Sequence, residues 1–446
     1  MQLTGDRAVR SRWLIAAVVF ALVWSLRSPI IVPDSLTYME AWPTRPPLLP
    51  LVYNAWKAVG GGAFAVRATI FVQALVALLS SGLLLRATAA LVSLGLVARA
   101  FVLGALMLPQ LKAASTIASE SFAYSFVCIF CAILVGGIRG QVSVWRGLAL
   151  VSAALAAYAT RAQFIYLVPL SILAAAVGCH WLRRRERVLL LGGSVLLAGT
   201  VLGATGLYLK HRSGAPGGVS VMGVQLLTSV VHVAVRNDLN AAQLGKHRVF
   251  AESLYARLER DGLLASQRDP ASGEVASSFF AERYNMILVR MADEFQKTEL
   301  AHAAPVKQSW LWGLSAEQLR DLDAATISVA TSLMRSNWRR YLGLVFGSVW
   351  EWHRYFCITV LFVSAFAVAE LCRNRFSRAA WLMALSGAAW LTNICVVTLV
   401  EPPLYRYSFY FDAIFLATLC AVVADALGAS VATRVAVAST GVGPGE

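Results

Sequence analysis

Long apolar runs recur along most of the chain and set its predicted architecture. A helix needs about 20 predominantly apolar residues to cross the hydrocarbon core of a bilayer, and the runs have about that length. Because backbone polar groups must be paired inside lipid, each run is predicted to be a helix. The pattern predicts an all-α fold, a polytopic transmembrane helical bundle of about 10 spans. The spans lie near residues 13–32, 66–85, 100–117, 120–138, 147–161, 163–181, 188–208, 356–372, 379–400 and 408–426.

A polar block interrupts this pattern after the seventh span. Residues 209–338 contain 14 Lys or Arg and 13 Asp or Glu, and their apolar positions follow a helical period. Ser315 and Gln318 have the spacing of a capping box at the start of one helix in this block. The chain is therefore divided into an N-terminal transmembrane module (1–208), an extracytoplasmic helical region (209–355) and a C-terminal transmembrane module (356–446).

A shorter apolar segment at residues 47–60 precedes the second span. It is too short to cross a bilayer, and it contains Trp56 and Lys57, which are residue types enriched at lipid–water boundaries. The segment is predicted to be a helix that lies at the outer surface of the membrane.

Composition and charge support a membrane protein and indicate its orientation. Only 14% of the residues are charged, against roughly 25% in soluble proteins. The net charge of +15 lies mainly in short connectors, so it favours contact with membrane lipids and argues against nucleic-acid binding. The connectors on the same side of the membrane as the N-terminus hold 15 basic residues. The short loops and span ends on the opposite side hold 7. This bias predicts that both termini are cytoplasmic. The chain is rich in alanine and arginine and has no N-glycosylation sequon, which favours a bacterial inner membrane.

The first candidate for chemistry follows the first span. Asp34 is predicted to lie at the membrane–water boundary, where a carboxylate is suited to act as a general base. The alternative is that Asp34 caps a helix that begins after Pro33, and Thr37 with Glu40 also has capping-box spacing. Arg45 precedes two prolines, which predicts a rigid turn that holds a cation beside Asp34; the alternative is an ordinary interfacial arginine.

Two further candidates lie at predicted outer ends of spans four and five. Either Ser119 caps the fourth span with Glu120 favourably placed near the helix N-terminus, or Glu120 is a second carboxylate that faces the site. Arg161 ends the fifth span, and it either binds a phosphate or extends to lipid head groups.

The last two candidate groups flank the C-terminal module. Glu401, Arg406 and Tyr407 lie together in the last outer loop, which is alternatively a proline-stiffened loop in an aromatic belt. His353 lies beside a tryptophan and an arginine, an arrangement that also fits an interfacial girdle.

Several common catalytic motifs are absent from the sequence. There is no HExxH, no Gly-x-Ser-x-Gly, no Walker loop and no pair of CxxC motifs with zinc spacing. Cys128 and Cys131 have CxxC spacing but lie inside a predicted span, where small apolar packing is the simpler interpretation. ATP hydrolysis and metalloprotease chemistry are therefore not predicted.

Taken together, these motifs resemble the GT-C superfamily of membrane glycosyltransferases, which includes protein O-mannosyltransferases and lipid A aminoarabinose transferases. The order of the motifs runs the length of the chain, although each motif is short. One departure is Ser35, where many relatives have a second acid directly after the first. The positions that carry the resemblance are Asp34 with Tyr38, Arg45-Pro46-Pro47, Ser119-Glu120, Thr160-Arg161 and Arg406-Tyr407.

The resemblance implies transfer of a sugar from a polyprenyl-phosphate donor to a lipid-linked or envelope glycan acceptor on the outer face, with inversion. It implies that Asp34 is the general base and that Glu40 or Glu120 takes the place of the second acid. Arg45, Arg161 and Arg406 would hold the donor phosphate. The resemblance names no certain cofactor and leaves a divalent metal open. The remaining residues that it assigns to substrate binding are Tyr38, Glu401, Tyr407 and His353.

Other functional classes stay open at this point. A transporter or flippase for a lipid-linked glycan would use a similar basic cavity without a base, but the sequence shows neither inverted repeats nor matching broken spans. An O-antigen polymerase or ligase would transfer a whole glycan and is poorly separated by sequence. A non-catalytic scaffold would not explain the charges gathered on the outer side.

Overall fold

The computed structural model describes residues 3–42, 44–138, 143–178, 182–214, 220–269, 275–300, 314–374, 376–400 and 405–440. Within these ranges the side chains of residues 3–12, 33, 112, 277, 352–353, 399–400, 405–409 and 429–440 are not described. The described residues form fifteen α-helices, three short 3₁₀ helices and one isolated bridge between Ile30 and Thr116. The predicted all-α class is therefore confirmed.

The helices follow one another in the order α1 to α15. Their bounds are α1 Leu3–Ser25, α2 Pro33–Met39, α3 Leu48–Ala89, α4 Leu96–Ala113, α5 Ser119–Gly137, α6 Val144–Thr160, α7 Leu167–Gly178, α8 Arg184–Ser213, α9 Met222–His232, α10 Arg236–Ala241, α11 Arg248–Arg260, α12 Ala276–Glu299, α13 Ala316–Arg373, α14 Arg378–Val400 and α15 Tyr405–Thr440.

Six helices in the described part of the chain are long and apolar enough to cross a membrane. The other four predicted spans coincide with shorter apolar helices, of which Leu96–Leu111 and Val144–Thr160 are examples. All ten predicted spans thus fall on helices, and the number that cross the bilayer stays a prediction. The six long segments are Leu48–Ala89, Ser119–Gly137, Arg184–Ser213, Arg354–Arg373, Arg378–Thr398 and Tyr410–Gly428.

The chain divides into two compact units. One unit contains residues 1–205, 360–390 and 409–446, and the other contains residues 206–359 and 391–408. In the first unit α3 packs along α1 and α5, and α5 packs along α6. In the second unit α12 packs against α9 and α11.

The segment predicted to lie at the membrane surface and the span after it form one element, α3, which is broken at Gly61. Gly61 has φ 77° and ψ −178°, so the helical path is interrupted there. This backbone conformation is accessible to glycine because it has no Cβ atom. The predicted end of the segment at residue 60 agrees with this break.

Two hydrogen bonds hold the loop before α5, one to the loop after α1 and one to α3. The backbone N–H of Ile30 donates to the carbonyl of Ser115 at 2.9 Å, and Gln73 Nε2 on α3 donates to the carbonyl of Ala118 at 2.9 Å. Gln73 is fully buried. These contacts hold the start of α5 beside α2, where the candidate residues lie.

In the second unit the predicted capping box at the start of α13 is confirmed. Ser315 N–H donates to Gln318 Oε1 at 2.9 Å, and Gln318 N–H donates to Ser315 Oγ at 3.2 Å. The sequence also predicts that Asp269-Pro270 and Gly273 interrupt the helices before α13, and residues 270–274 lie outside the described residues.

Candidate active site

The first turn of α2 carries Asp34. The N-cap residue of α2 is Val32, whose N–H donates to Ser35 Oγ at 3.1 Å, and Pro33 occupies the first helical position. Proline suits that position because its missing N–H would have no partner within the helix. Asp34 is therefore not the cap, and its carboxylate is directed to another contact.

That contact is with Arg45, on the turn that precedes α3. Arg45 Nη2 donates to Asp34 Oδ1 at 2.8 Å, and Arg45 Nε donates to Thr37 Oγ1 at 2.7 Å. Thr37 Oγ1 in turn donates to the carbonyl of Asp34 at 2.7 Å. The guanidinium also lies over the Tyr38 ring, 4.6 Å from its centroid. The predicted pairing of Asp34 with Arg45 is thus present, and Asp34 remains 37% exposed.

Tyr38 links α2 to the start of α5. Its hydroxyl donates to Ser119 Oγ at 2.7 Å in a buried hydrogen bond, and its ring packs with Leu49 and Phe122. Ser119 is the first helical residue of α5, and Ala118 is its N-cap, so Ser119 does not cap the helix. The residue that follows, Glu120, lies in the first turn, where the helix dipole favours a negative charge.

Glu120 forms the second acid–arginine pair of the cluster. Arg161 Nη1 donates to Glu120 Oε1 at 2.8 Å and to the Tyr410 hydroxyl at 3.0 Å. Arg161 is the C-cap residue of α6 and has an extended backbone conformation. The Glu120 side chain is 22% exposed, and its other oxygen, Oε2, is buried with no hydrogen-bond partner among the described residues.

The two pairs belong to one electrostatic cluster. Burial works to lower the pKa of Arg45, but Tyr38 and Asp34 outweigh it and leave the pKa above its ordinary value. The positive charge of Arg161 also acts on Arg45 and pulls its pKa back down. The cluster thus combines two guanidinium groups and two carboxylates, which are suited to hold a polar or charged ligand through hydrogen bonds.

The structure describes the remaining predicted residues to different extents. Glu40 lies at the C-terminal end of α2 with an exposed side chain, about one and a half turns beyond Asp34. The side chains of His353, Arg406 and Tyr407 lie outside the described residues, as does all of Glu401. Their assigned roles stay predictions.

Three residues of the cluster were not predicted. Thr37 was considered only as a cap, Gln73 lies inside an apolar run, and Tyr410 lies inside the tenth predicted span. Nothing in their local sequence separates them from residues that only pack. An aromatic pair with Phe164, at 5.3 Å between ring centroids, holds Tyr410 against the segment that follows Arg161.

Within the described ranges no three His, Cys, Asp or Glu side chains are grouped closely enough to hold a metal ion. Asp34 and Glu120 each bind an arginine instead. Cys128 and Cys131 are buried in α5 and unbridged, which agrees with a packing role.

Proteins similar to this chain are found among solved structures. No family model matches it, and no curated protein matches it. The similar solved structures include ArnT from Cupriavidus metallidurans in the apo state, at 16% identity and a TM-score of 0.35, covering 94% of this chain and 77% of that one. ArnT from the same organism bound to undecaprenyl phosphate gives 16% identity and a TM-score of 0.31, with 95% and 77% coverage. TM-scores below 0.5 do not establish a shared fold, so the function is inferred from the residues of the site.

Proposed function

We propose that the protein is an integral membrane glycosyltransferase of the GT-C type. It would move a sugar from a polyprenyl-phosphate donor to a lipid-linked or envelope glycan acceptor on the extracytoplasmic face. The observation that carries the proposal is the meeting of two acid–arginine pairs, Asp34 with Arg45 and Glu120 with Arg161, at one end of apolar helices. Such a site provides both a proton acceptor and a cationic place for a phosphate leaving group.

Asp34 is the better candidate for the base because it is the more exposed of the two paired acids. In the proposed step, Asp34 takes the proton of an acceptor hydroxyl while the acceptor oxygen bonds to the anomeric carbon. The bond from that carbon to the phosphate oxygen breaks, and the phosphate keeps the electron pair. Attack from the face opposite the phosphate inverts the configuration. The ion pair with Arg45 would hold the carboxylate in a fixed orientation for this attack.

The arginines would stabilise the leaving group. A guanidinium has five N–H donors in a planar fork, so Arg45 and Arg161 would bind phosphate oxygens while each keeps its carboxylate contact. A polyprenyl phosphate gains negative charge as it leaves, and its binding between two cations would offset their mutual repulsion. The resemblance to the GT-C superfamily implies that Arg406 would add a third cation from the last predicted outer loop.

Glu120 would serve substrate binding rather than proton transfer. Its Oε1 is held by Arg161, while the buried Oε2 has no partner among the described residues. A buried acceptor without a partner is unfavourable, and a hydroxyl of the donor sugar would satisfy it. The proposed step assigns no role to a metal ion.

The proposal is tested with purified protein and a panel of undecaprenyl-phosphate sugars that carry different hexoses and pentoses. Incubation with envelope lipid extract should release undecaprenyl phosphate from at least one donor and yield one added sugar on an acceptor, both detected by mass spectrometry. Movement of intact donor across vesicle membranes without cleavage would instead identify a flippase and contradict the proposal. Transfer of a whole glycan would indicate a polymerase or ligase.

A further inference from the structure

A second polar depression lies at the far end of α3 from the candidate active site. From Gln73, which lies beside the candidate active site, to Ala89, α3 rises about 24 Å at 1.5 Å per residue, which is most of the roughly 30 Å hydrocarbon thickness of a bilayer. Residues 89–95, together with Arg99 and Arg378, surround a depression of about 510 Å³. It therefore lies at the level of the head groups of the opposite leaflet.

The charged groups of this depression are two arginines from different helices. Arg99 lies in the first turn of α4, and its Nε donates to the carbonyl of Leu94 at 3.0 Å, which holds the side chain against the loop. Arg378 is the first residue of α14. Neither arginine forms an ion pair with an acid among the described residues.

One acid lies next to the depression without lining it. Asp425 Oδ1 accepts a hydrogen bond from the backbone N–H of Ser93 at 2.6 Å. This contact fastens the loop between α3 and α4 to α15. Asp425 is not among the lining residues, and the two charged side chains that do line the depression, Arg99 and Arg378, are both cationic.

The loop leaves room for a ligand beside its backbone. A Cβ atom added at Gly95 would meet no atom within 4 Å. Gly95 therefore opens onto free space next to Arg99, and a ligand oxygen is able to approach the backbone there.

Exposed apolar side chains flank both arginines. Leu96 is 85% exposed and Phe101 is 71% exposed on α4, and Phe376, two residues before Arg378, is 91% exposed. Such side chains are unfavourable in water but suit contact with acyl chains. The combination of a cationic depression with an apolar rim has the polarity of a phospholipid, which places a phosphate above two hydrocarbon chains.

We propose that this depression binds the phosphate group of a membrane phospholipid. Arg99 and Arg378 would donate to the phosphate oxygens, and the acyl chains would lie along Leu96, Phe101 and Phe376. Because the site lies at the opposite end of α3 from Asp34 and Arg45, this proposal does not depend on the proposed glycosyltransferase function.

The test is a titration of the delipidated protein in detergent with dioleoylphosphatidylglycerol, followed by native mass spectrometry. The parent should retain the lipid, and Arg99→Gln/Arg378→Gln should bind it at least about tenfold more weakly because two charge-assisted contacts are lost. Arg184→Gln/Arg185→Gln removes two exposed arginines from the start of α8 and should bind like the parent. Gly95→Phe keeps both arginines but fills the depression, and it should also lose the lipid.

Two further ligands identify the chemistry that is recognised. Dioleoylglycerol lacks the phosphate and should not bind at this site, and inorganic phosphate lacks the acyl chains and should not compete at millimolar concentration. Equal binding of phosphatidylglycerol by the parent, the double variant and Gly95→Phe would overturn the proposal. Dioleoylglycerol bound as tightly as the phospholipid would refute a phosphate site, and full competition by inorganic phosphate would refute a lipid site.

Discussion

Each of the two site arginines holds one carboxylate, and this pairing determines how the site would respond to substitution. Arg161 and Glu120 are both mostly buried, so removal of either leaves a charge without its partner in a poorly solvated place. Arg45 and Asp34 are more exposed, so their loss should affect ligand binding more than stability. Arg45 is therefore the better position at which to test phosphate binding.

We predict that Arg45→Gln weakens the binding of undecaprenyl phosphate about 10-fold to 100-fold, because one charge-assisted contact to phosphate is lost. Native mass spectrometry of the purified protein measures the affinity. The control is Arg27→Gln, which removes another arginine between α1 and α3; its guanidinium lies over the Trp24 ring, 4.0 Å from the ring centroid. Equal losses in the two variants would show a general effect of outer charge and not a specific contact.

The sequence predicted part of this site, and the separation of the residues explains why. Asp34 and Arg45 are eleven residues apart across a proline-stiffened turn, so their proximity follows from local structure. Arg161 meets Tyr410 across 249 residues, and Tyr38 meets Ser119 across 81. Those contacts depend on how helices pack, and a tyrosine inside an apolar run gives no sign of which helix it will face.

At the scale of elements, the break in α3 separates the segment that follows Arg45 from the span that follows Gly61. Residues 47–60 were predicted as a separate surface helix because the segment is too short to cross a bilayer and contains Trp56 and Lys57. The break itself was not predicted, since three consecutive glycines at 60–62 do not show which one adopts a positive φ.

We predict that Gly61→Ala lowers the free energy of unfolding by about 1–3 kcal/mol, because φ 77° with ψ −178° is a backbone conformation that is essentially restricted to glycine. A Cβ at Gly61 would meet no atom within 4 Å, so the effect would be conformational and not steric. Thermal unfolding in detergent measures the change. Gly62→Ala is the matched control, because Gly62 has no positive φ and should tolerate alanine. A Gly61→Ala protein as stable as the parent would argue against the break.

Other elements show the limits of sequence periodicity. The helix predicted to start at the Ser315–Gln318 capping box is α13, and it continues to Arg373. Because the first half of α13 is polar, the sequence did not indicate that this helix continues into the eighth predicted span. The period of apolar residues does not report whether two such stretches form one continuous helix.

At the scale of the whole molecule, the second compact unit contains a buried histidine that links stability to pH. His232 Nδ1 lies 2.7 Å from the carbonyl of Leu263, and its ring packs against Phe279 and Phe280. Desolvation lowers the pKa of His232 to about 4, with the hydrogen bond to Leu263 opposing and the charge of Arg283 assisting. The folded protein therefore keeps this histidine neutral.

We predict that the second unit loses stability as the pH falls from about 6.5 to about 4. In that range the unfolded chain binds a proton at His232 and the folded chain does not. Above pH 6.5 His232 is neutral in both states, and its packing contributes fully to the free energy of unfolding. The loss of unfolding free energy is at most about 3 kcal/mol for this difference in the pKa of His232 between the unfolded and folded chain. Thermal unfolding at pH 7.5 and 4.5 measures it. His232→Leu should flatten this dependence, and an unchanged slope would contradict the assignment.

The orientation of the whole chain is also open to direct test. The bias of basic connectors predicts that residues 209–355 face away from the cytoplasm. Glu282 on α12 has a 71% exposed side chain, and Glu282→Cys in whole cells should react with a membrane-impermeant maleimide above the level of the parent chain. Arg184→Cys, at the start of α8, should react only after the cells are opened. The reverse pattern would invert the topology and the face on which the reaction occurs.

The central claim is that Asp34 accepts a proton during sugar transfer from a polyprenyl phosphate, and one measurement tests it most directly. Asp34→Asn keeps the shape of the side chain but not its basicity, so turnover of the undecaprenyl-phosphate sugar used by the parent should fall about 10²-fold to 10⁴-fold in folded protein. Glu40→Gln, which changes an exposed acid at the other end of α2, should remain near the parental rate. Near-parental turnover by Asp34→Asn would remove Asp34 from the mechanism, and a large loss in Glu40→Gln would assign the base to Glu40.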